Sequence, residues 1–195
     1  MKKSSLSQVV LLAILGAWAF VFRQFDFPVL LSAPFLKVDL SDLWVLVGML
    51  VKGPVGLLSV AGIRDLLNYL IKGGEAGLPI GATMSVIASL AFFMPTHFGL
   101  LGTRSRKIVT LSIISVASAI SLVVVMCLLN YFVALPLYIK VLNFPIESIS
   151  EYVWTLIAPF NAIKAAILAV GQVALIRFLP PLLRKMATNY YTSES

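Results

Sequence analysis

Six apolar stretches follow one another along the chain, each closed by charges, prolines or glycines. They fall at about 6–24, 42–52, 54–72, 78–101, 107–137 and 153–179. A bilayer crossing needs about 20 consecutive apolar residues, so the pattern predicts transmembrane helices. The second stretch is short and runs into Lys52-Gly53-Pro54, a turn signal, and a third follows at once. These two read as helices joined by a tight connection. The first stretch follows Met1-Lys2-Lys3 and contains Ala17-Trp18-Ala19, which imitates a signal cleavage site. Its apolar run is long for a signal and continues past that triplet, which predicts a retained helix. Six crossings would put both termini on one side.

Composition agrees. Sixty per cent of the 195 residues are hydrophobic, 12 % are charged and the mean hydropathy is +1.01. The reading is an all-α integral membrane protein, a single membrane-embedded domain over 1–195 with no room for a soluble domain. Lys2, Lys3, Lys52, Arg104, Arg106, Lys107, Arg177, Arg184 and Lys185 fall at the ends that a model with cytoplasmic N- and C-termini places inside. Asp26, Asp39, Asp42, Glu75, Glu147 and Glu151 fall in the outer connections. The basic clusters read as topology signals that touch lipid headgroups, and no nucleic-acid partner is expected. A lone cysteine, Cys127, excludes an intrachain disulfide, and no cysteine or histidine pair offers a metal site. Gly73-Gly74-Glu75-Ala76-Gly77 lacks the lysine and hydroxyl of a phosphate loop, so ATP chemistry is expected elsewhere and the chain is read as no enzyme. His97, beside Pro95-Thr96, reads as a packing or interfacial residue, and Tyr190 to Ser195 as a frayed polar tail.

Lys164 is the exception within this apolar pattern. It lies thirteen residues from both Glu151 and Arg177, so on a helix its ammonium starts roughly 20 Å from either flanking charge. A cation at that depth costs about 2.5 to 3.5 kcal/mol, which marks a bundle-facing functional position. Asn161 lies almost one turn away on the same face, and Asn130 falls at a similar depth on the preceding helix. Carboxamides present donor and acceptor together and suit a planar heterocycle with imide groups; they also serve as interhelical glue. The connection Phe25 to Asp42 interleaves apolar residues with Lys37, Asp39 and Asp42 and carries Pro28 and Pro34. It reads as a segment folded over the bundle mouth or as an interfacial linker, with Ser41-Asp42 capping the next helix. Arg64 and Asp65 are adjacent, so each is expected to find a partner other than its neighbour or to reach the outer interface, and Thr83 and Ser85 either line a pocket or permit close packing.

Four strings carry a family resemblance: 129–138 (Leu-Asn-Tyr-Phe-Val-Ala-Leu-Pro-Leu-Tyr), 158–164 (Ala-Pro-Phe-Asn-Ala-Ile-Lys), 35–42 (Phe-Leu-Lys-Val-Asp-Leu-Ser-Asp) and Lys52-Gly53-Pro54-Val55-Gly56. Their order and spacing resemble the riboflavin-specific S component of energy-coupling factor (ECF) vitamin transporters. The resemblance implies the six-helix S-component fold and capture of riboflavin, as transported ligand rather than cofactor, from outside. Asn130 and Lys164 would contact the ligand, with Asn161 beside them and Phe35, Leu36, Asp39 and Leu40 in the closing loop. It also implies a transmembrane T subunit and two ATPase subunits as partners, docked through Ala13 and Ala17 on the first helix. Ala13 and Ala17 form a small-xxx-small pair that otherwise serves internal packing. The chain departs from the family at Ile63-Arg64-Asp65-Leu66-Leu67-Asn68 and at 77–85, which leaves open another vitamin such as pantothenate. A lipid-modifying enzyme using Arg64, Asp65 and His97 is the more distant reading.

Overall fold

The computed structural model describes residues 6–31, 36–74, 77–103, 107–143 and 145–193. Among them, five helical stretches are long and apolar enough to cross a membrane: Leu6–Arg23, Asp42–Lys72, Ile80–Gly102, Ile108–Leu142 and Ile149–Arg177. We label α1 Leu6–Arg23, α2 Asp42–Lys72, α3 Ile80–Gly102, α4 Ile108–Leu129, α5 Leu135–Leu142, α6 Ile149–Tyr152, α7 Ala158–Arg177 and α8 Pro181–Ser193. Single π-helical turns, Asn130–Ala134 and Val153–Ile157, join α4 to α5 and α6 to α7.

α2 is two arms. Lys52 and Gly53 leave helical geometry, and Gly53 takes φ +57°, a conformation glycine adopts without penalty. Pro54 then opens the second arm, where its missing N–H costs nothing. The arms fold back on each other: a Cβ built on Gly48 would stand 2.6 Å from Val60 Cγ2. In a straight helix those residues lie about 18 Å apart. The first arm, 42–51, rises only about 15 Å, half the hydrocarbon thickness.

That short arm is the centre of the bundle, with Val45, Leu46 and Met49 fully buried. α1 packs on α2, α2 on α3, α3 on α4, α4 on α7, and α7 touches α2 again, closing a ring. Val109, Ile113, Val116, Ile120 and Val124 form an exposed apolar stripe at helical spacing along α4, suited to lipid. A buried hydrogen-bond chain crosses the ring. Thr96 donates to Gln172 Oε1 (2.8 Å) and meets Ser118 (2.9 Å), while Gln172 Nε2 donates to Ser115 (2.8 Å).

The two ends of the bundle differ. At one, β1 (Phe27–Pro28) and β2 (Lys37–Val38) pair antiparallel, Lys37 reaches Asp26 at 3.0 Å and Val38 is fully buried. At the other, α8 packs on α2, with Tyr190 against Gly53 and Tyr191 hydrogen-bonded to His97 at 3.1 Å. The tail expected to fray from Tyr190 is thus helical through Ser193. Leu183, Met186, Ala187, Tyr190 and Tyr191 recur at helical spacing and pack against the core, and Ala187 and Tyr191 are buried.

Candidate ligand cavity

The two π turns face each other near the β1–β2 end. Each is followed by a proline, Pro136 or Pro159, whose ring collides with the carbonyl four residues back in a regular helix. The helix widens instead: Leu135 N–H bonds the Asn130 carbonyl and Ala158 N–H bonds that of Val153, both five residues back. Such π turns concentrate at functional sites, and here they flank a cavity of about 380 Å³. Its wall comprises Met126, Asn130, Ala134, Leu135, Tyr138 and Leu142 from one side and Tyr152, Ile157, Phe160 and Asn161 from the other. Met84 of α3 and Leu36 of the β1–β2 segment complete it. Leu36 packs with Leu135, Val153 and Ile157, so the end of the first connection that leads into β2 lies against the cavity.

Both carboxamides are fixed from behind. Asn130 Nδ2 donates to the Met126 carbonyl at 2.7 Å, and Asn161 Nδ2 to that of Ile157 at 2.8 Å. Each amide plane is held by its own helix, and among the described residues neither side chain has a further hydrogen-bond partner. The surroundings are apolar and aromatic, with Tyr138, Tyr152 and Phe160 in the wall.

A buried ionic cluster joins α1, α2, α3 and α7. Arg64, with no exposed side-chain surface, donates from Nη1 to Asp42 Oδ1 (2.7 Å) and Ser41 Oγ (3.0 Å). Its Nη2 donates to Asp65 Oδ2 (2.9 Å), Ser85 (2.8 Å) and Ser89 (3.2 Å), and Nε reaches Asp65 Oδ1 (3.2 Å). Arg23 donates to Asp65 Oδ1 (2.6 Å) and Ser85 (2.7 Å). Ser89 donates to Asp42 Oδ1 (2.7 Å), and Lys164 Nζ lies 3.2 Å from Asp42 Oδ2. Three cations share two carboxylates, which leaves one positive charge in excess.

Several expectations change here. Lys164, marked from sequence by its distance from any charge near in the chain, pairs with a carboxylate that α2 supplies. Ser41 and Asp42 do not cap α2 with their side chains: Asp42 turns inward to the cations, while Asp39 Oδ1 accepts the Ser41 N–H at 2.7 Å. Arg64 and Asp65 do pair directly, because the long guanidinium stem arches back to its neighbour.

Of the residues singled out from sequence, Leu36, Asn130 and Asn161 line the cavity. Lys164 stands one turn beyond Phe160 and is 16 % exposed. Leu40 is exposed, Asp39 closes the turn into α2, Thr83 bonds the Pro79 carbonyl on the surface, and Ser85 sits in the ionic cluster. Phe35 lies outside the described residues. Ala13 and Ala17 are exposed, while Leu12, Leu15, Gly16 and Ala19 take the buried face of α1. Sequence reasoning passed over Met84, Tyr138, Tyr152 and Phe160 as wall residues. The last three are aromatic and lie within a turn or two of the chosen asparagines or their prolines, a signal that was present.

Comparison with known proteins fits this geometry. The family described as "ECF transporter, substrate-specific component" matches residues 7–176. The chain is 32 % identical over 166 residues to "Riboflavin transporter FmnP" of Bacillus subtilis (strain 168), covering 84 % of this chain and 86 % of that one. It is 33 % identical over 178 residues to "Riboflavin transporter RibU" of Streptococcus thermophilus, covering 90 % and 83 %. A solved structure described as "Structure and mechanism of the S component of a bacterial ECF transporter" superposes with a TM-score of 0.67 at 29 % identity, over 90 % of this chain and 96 % of that one. With five membrane-length helices and a family match over most of its length, this multi-pass membrane protein belongs to the substrate-specific components of ECF transporters.

Proposed function

We propose that the chain binds riboflavin in the cavity between the π turns and presents it for uptake across the cell membrane. The observation that carries this is the pair of rear-anchored carboxamides, Asn130 and Asn161, in an apolar wall rich in aromatic rings. A flavin presents one imide edge, a carbonyl, N–H, carbonyl array, on a flat hydrophobic ring system. Amides with a free oxygen and a free N–H complement that edge, and aromatic side chains cover the faces. The cavity volume lies within the roughly 300 to 1,000 Å³ of small-molecule sites. The names of the relatives support the same ligand.

Lys164 supplies a further donor from behind Asn161, and Leu36 closes the mouth from the first connection. Both termini face the cytoplasm in this reading, the arms of α2 complete six helices, and the cavity opens outward. Transport needs partners: the exposed Ala13 and Ala17 face of α1 receives a T subunit, and two ATPase subunits supply the energy. In the rival enzyme reading Arg64 and Asp65 would do chemistry, yet both are consumed in buried ion pairs. Reconstituted vesicles test the proposal. Riboflavin accumulation should require ATP and all partner subunits, whereas riboflavin binding by the chain alone should require neither. Pantothenate binding in place of riboflavin would overturn the ligand assignment.

A further inference from the structure

Asp42 divides its carboxylate between two jobs. Oδ1 is held by Arg64 at 2.7 Å and Ser89 at 2.7 Å, both buried and both part of the fixed α2–α3 scaffold. Oδ2 is left for Lys164 Nζ at 3.2 Å, the one ion pair of that lysine among the described residues. Lys164 needs such a holder: its four-carbon stem has several rotatable bonds, and a loosely held ammonium recognises nothing in particular. Asp42 is also the first residue of α2, three residues after Asp39 closes the turn from β2 and six after Leu36 enters the cavity wall. Ser41 is held by the same Arg64 guanidinium. One buried arginine therefore fixes the root of the mouth-covering segment and the carboxylate that aims the lysine.

We propose that Asp42 is a positioning residue for ligand binding: it orients the Lys164 ammonium toward the cavity and ties the root of the closing segment to α7. The inference rests on the proposed function, since it assigns Lys164 to the ligand site. Breaking this charge-assisted contact should loosen both the ammonium and the segment, so affinity falls chiefly through faster release.

The test is a double-mutant cycle on the detergent-purified chain, with riboflavin binding read by fluorescence. Asp42→Asn keeps the size of the side chain and an acceptor for Arg64 but removes the charge. It should raise the riboflavin dissociation constant about tenfold, mainly in the off-rate. Lys164→Met should weaken binding at least as much, and the double variant should be no weaker than Lys164→Met alone, because Asp42 acts through the lysine. Losses that add would overturn the inference, since a merely structural carboxylate acts independently of Lys164. Should Asp42→Asn fail to fold, Asp42→Glu retains the charge and moves it by one methylene. It should weaken binding in the wild-type background and have no effect beside Lys164→Met; equal losses in both backgrounds would again overturn it. A folded wild type that ignores riboflavin overturns the ligand reading itself, whereas normal wild-type binding with additive losses overturns the positioning role alone.

Discussion

The carbonyl oxygen of Gly48 occupies the place where a side chain on Gly56 would begin. The two glycines set how closely the arms of α2 approach, and a methyl on Gly56 meets backbone that cannot swing aside. Gly56→Ala should cost about 1 to 3 kcal/mol by overpacking, seen as a lower melting temperature in detergent. Gly62, on the same helix, has nothing near its Cβ position. Gly62→Ala should therefore leave the melting temperature unchanged or raise it, by up to about 1 kcal/mol of helix propensity. Equal effects at both positions would refute the close approach of the arms.

Arg64 is fully buried and serves Asp42, Asp65 and three serines. Arg64→Met strips both carboxylates of their shared partner and should cost about 3 to 5 kcal/mol, the loss expected when one member of a buried ion pair is removed. Thermal unfolding should show this as the largest loss among single substitutions in the cluster. A near-native melting temperature would mean that the cluster is dispensable for the fold.

Asn130→Leu and Asn161→Leu probe recognition instead. Neither amide bridges two helices through its Nδ2 bond, since each donates to its own helix. Stability should change little, while riboflavin affinity should fall roughly tenfold for each as a ligand hydrogen bond is lost. Large losses of stability with unaltered affinity would return both residues to the role of structural glue.

Much of this architecture is legible in the apolar pattern. Pro54 after Gly53 marks the break in α2, and counting depth from Glu151 and Lys140 puts Asn161 and Asn130 at one level, where both meet the cavity. What local reasoning lacks is contact between distant elements. Ser41-Asp42 has the composition of a helix cap, and nothing nearby shows that Arg64 and Lys164 converge on the carboxylate. Thr83 and Ser85 attract attention by polarity, yet Met84 between them faces the cavity, because successive helical residues are turned by about 100°. α8 is obscured by Arg184, Lys185 and Thr188, which interrupt its apolar positions, and its burial depends on Gly53 and His97 arriving from far upstream.

The far end of the bundle should be separable from the ligand site. Tyr191→Phe removes the hydroxyl that meets His97 and should cost about 1 kcal/mol of stability. Riboflavin affinity should be unchanged, because α8 packs at the end opposite the cavity. A matching loss of affinity in equilibrium titrations would show that α8 communicates with the π turns.

Fluorescence titration of the purified chain with riboflavin, in detergent and without ATP or partners, tests the central claim most directly. Stacking of the flavin in the aromatic-lined cavity should quench its emission to saturation at one riboflavin per chain. A folded, monodisperse preparation that leaves flavin emission unquenched at saturating concentrations would contradict the account.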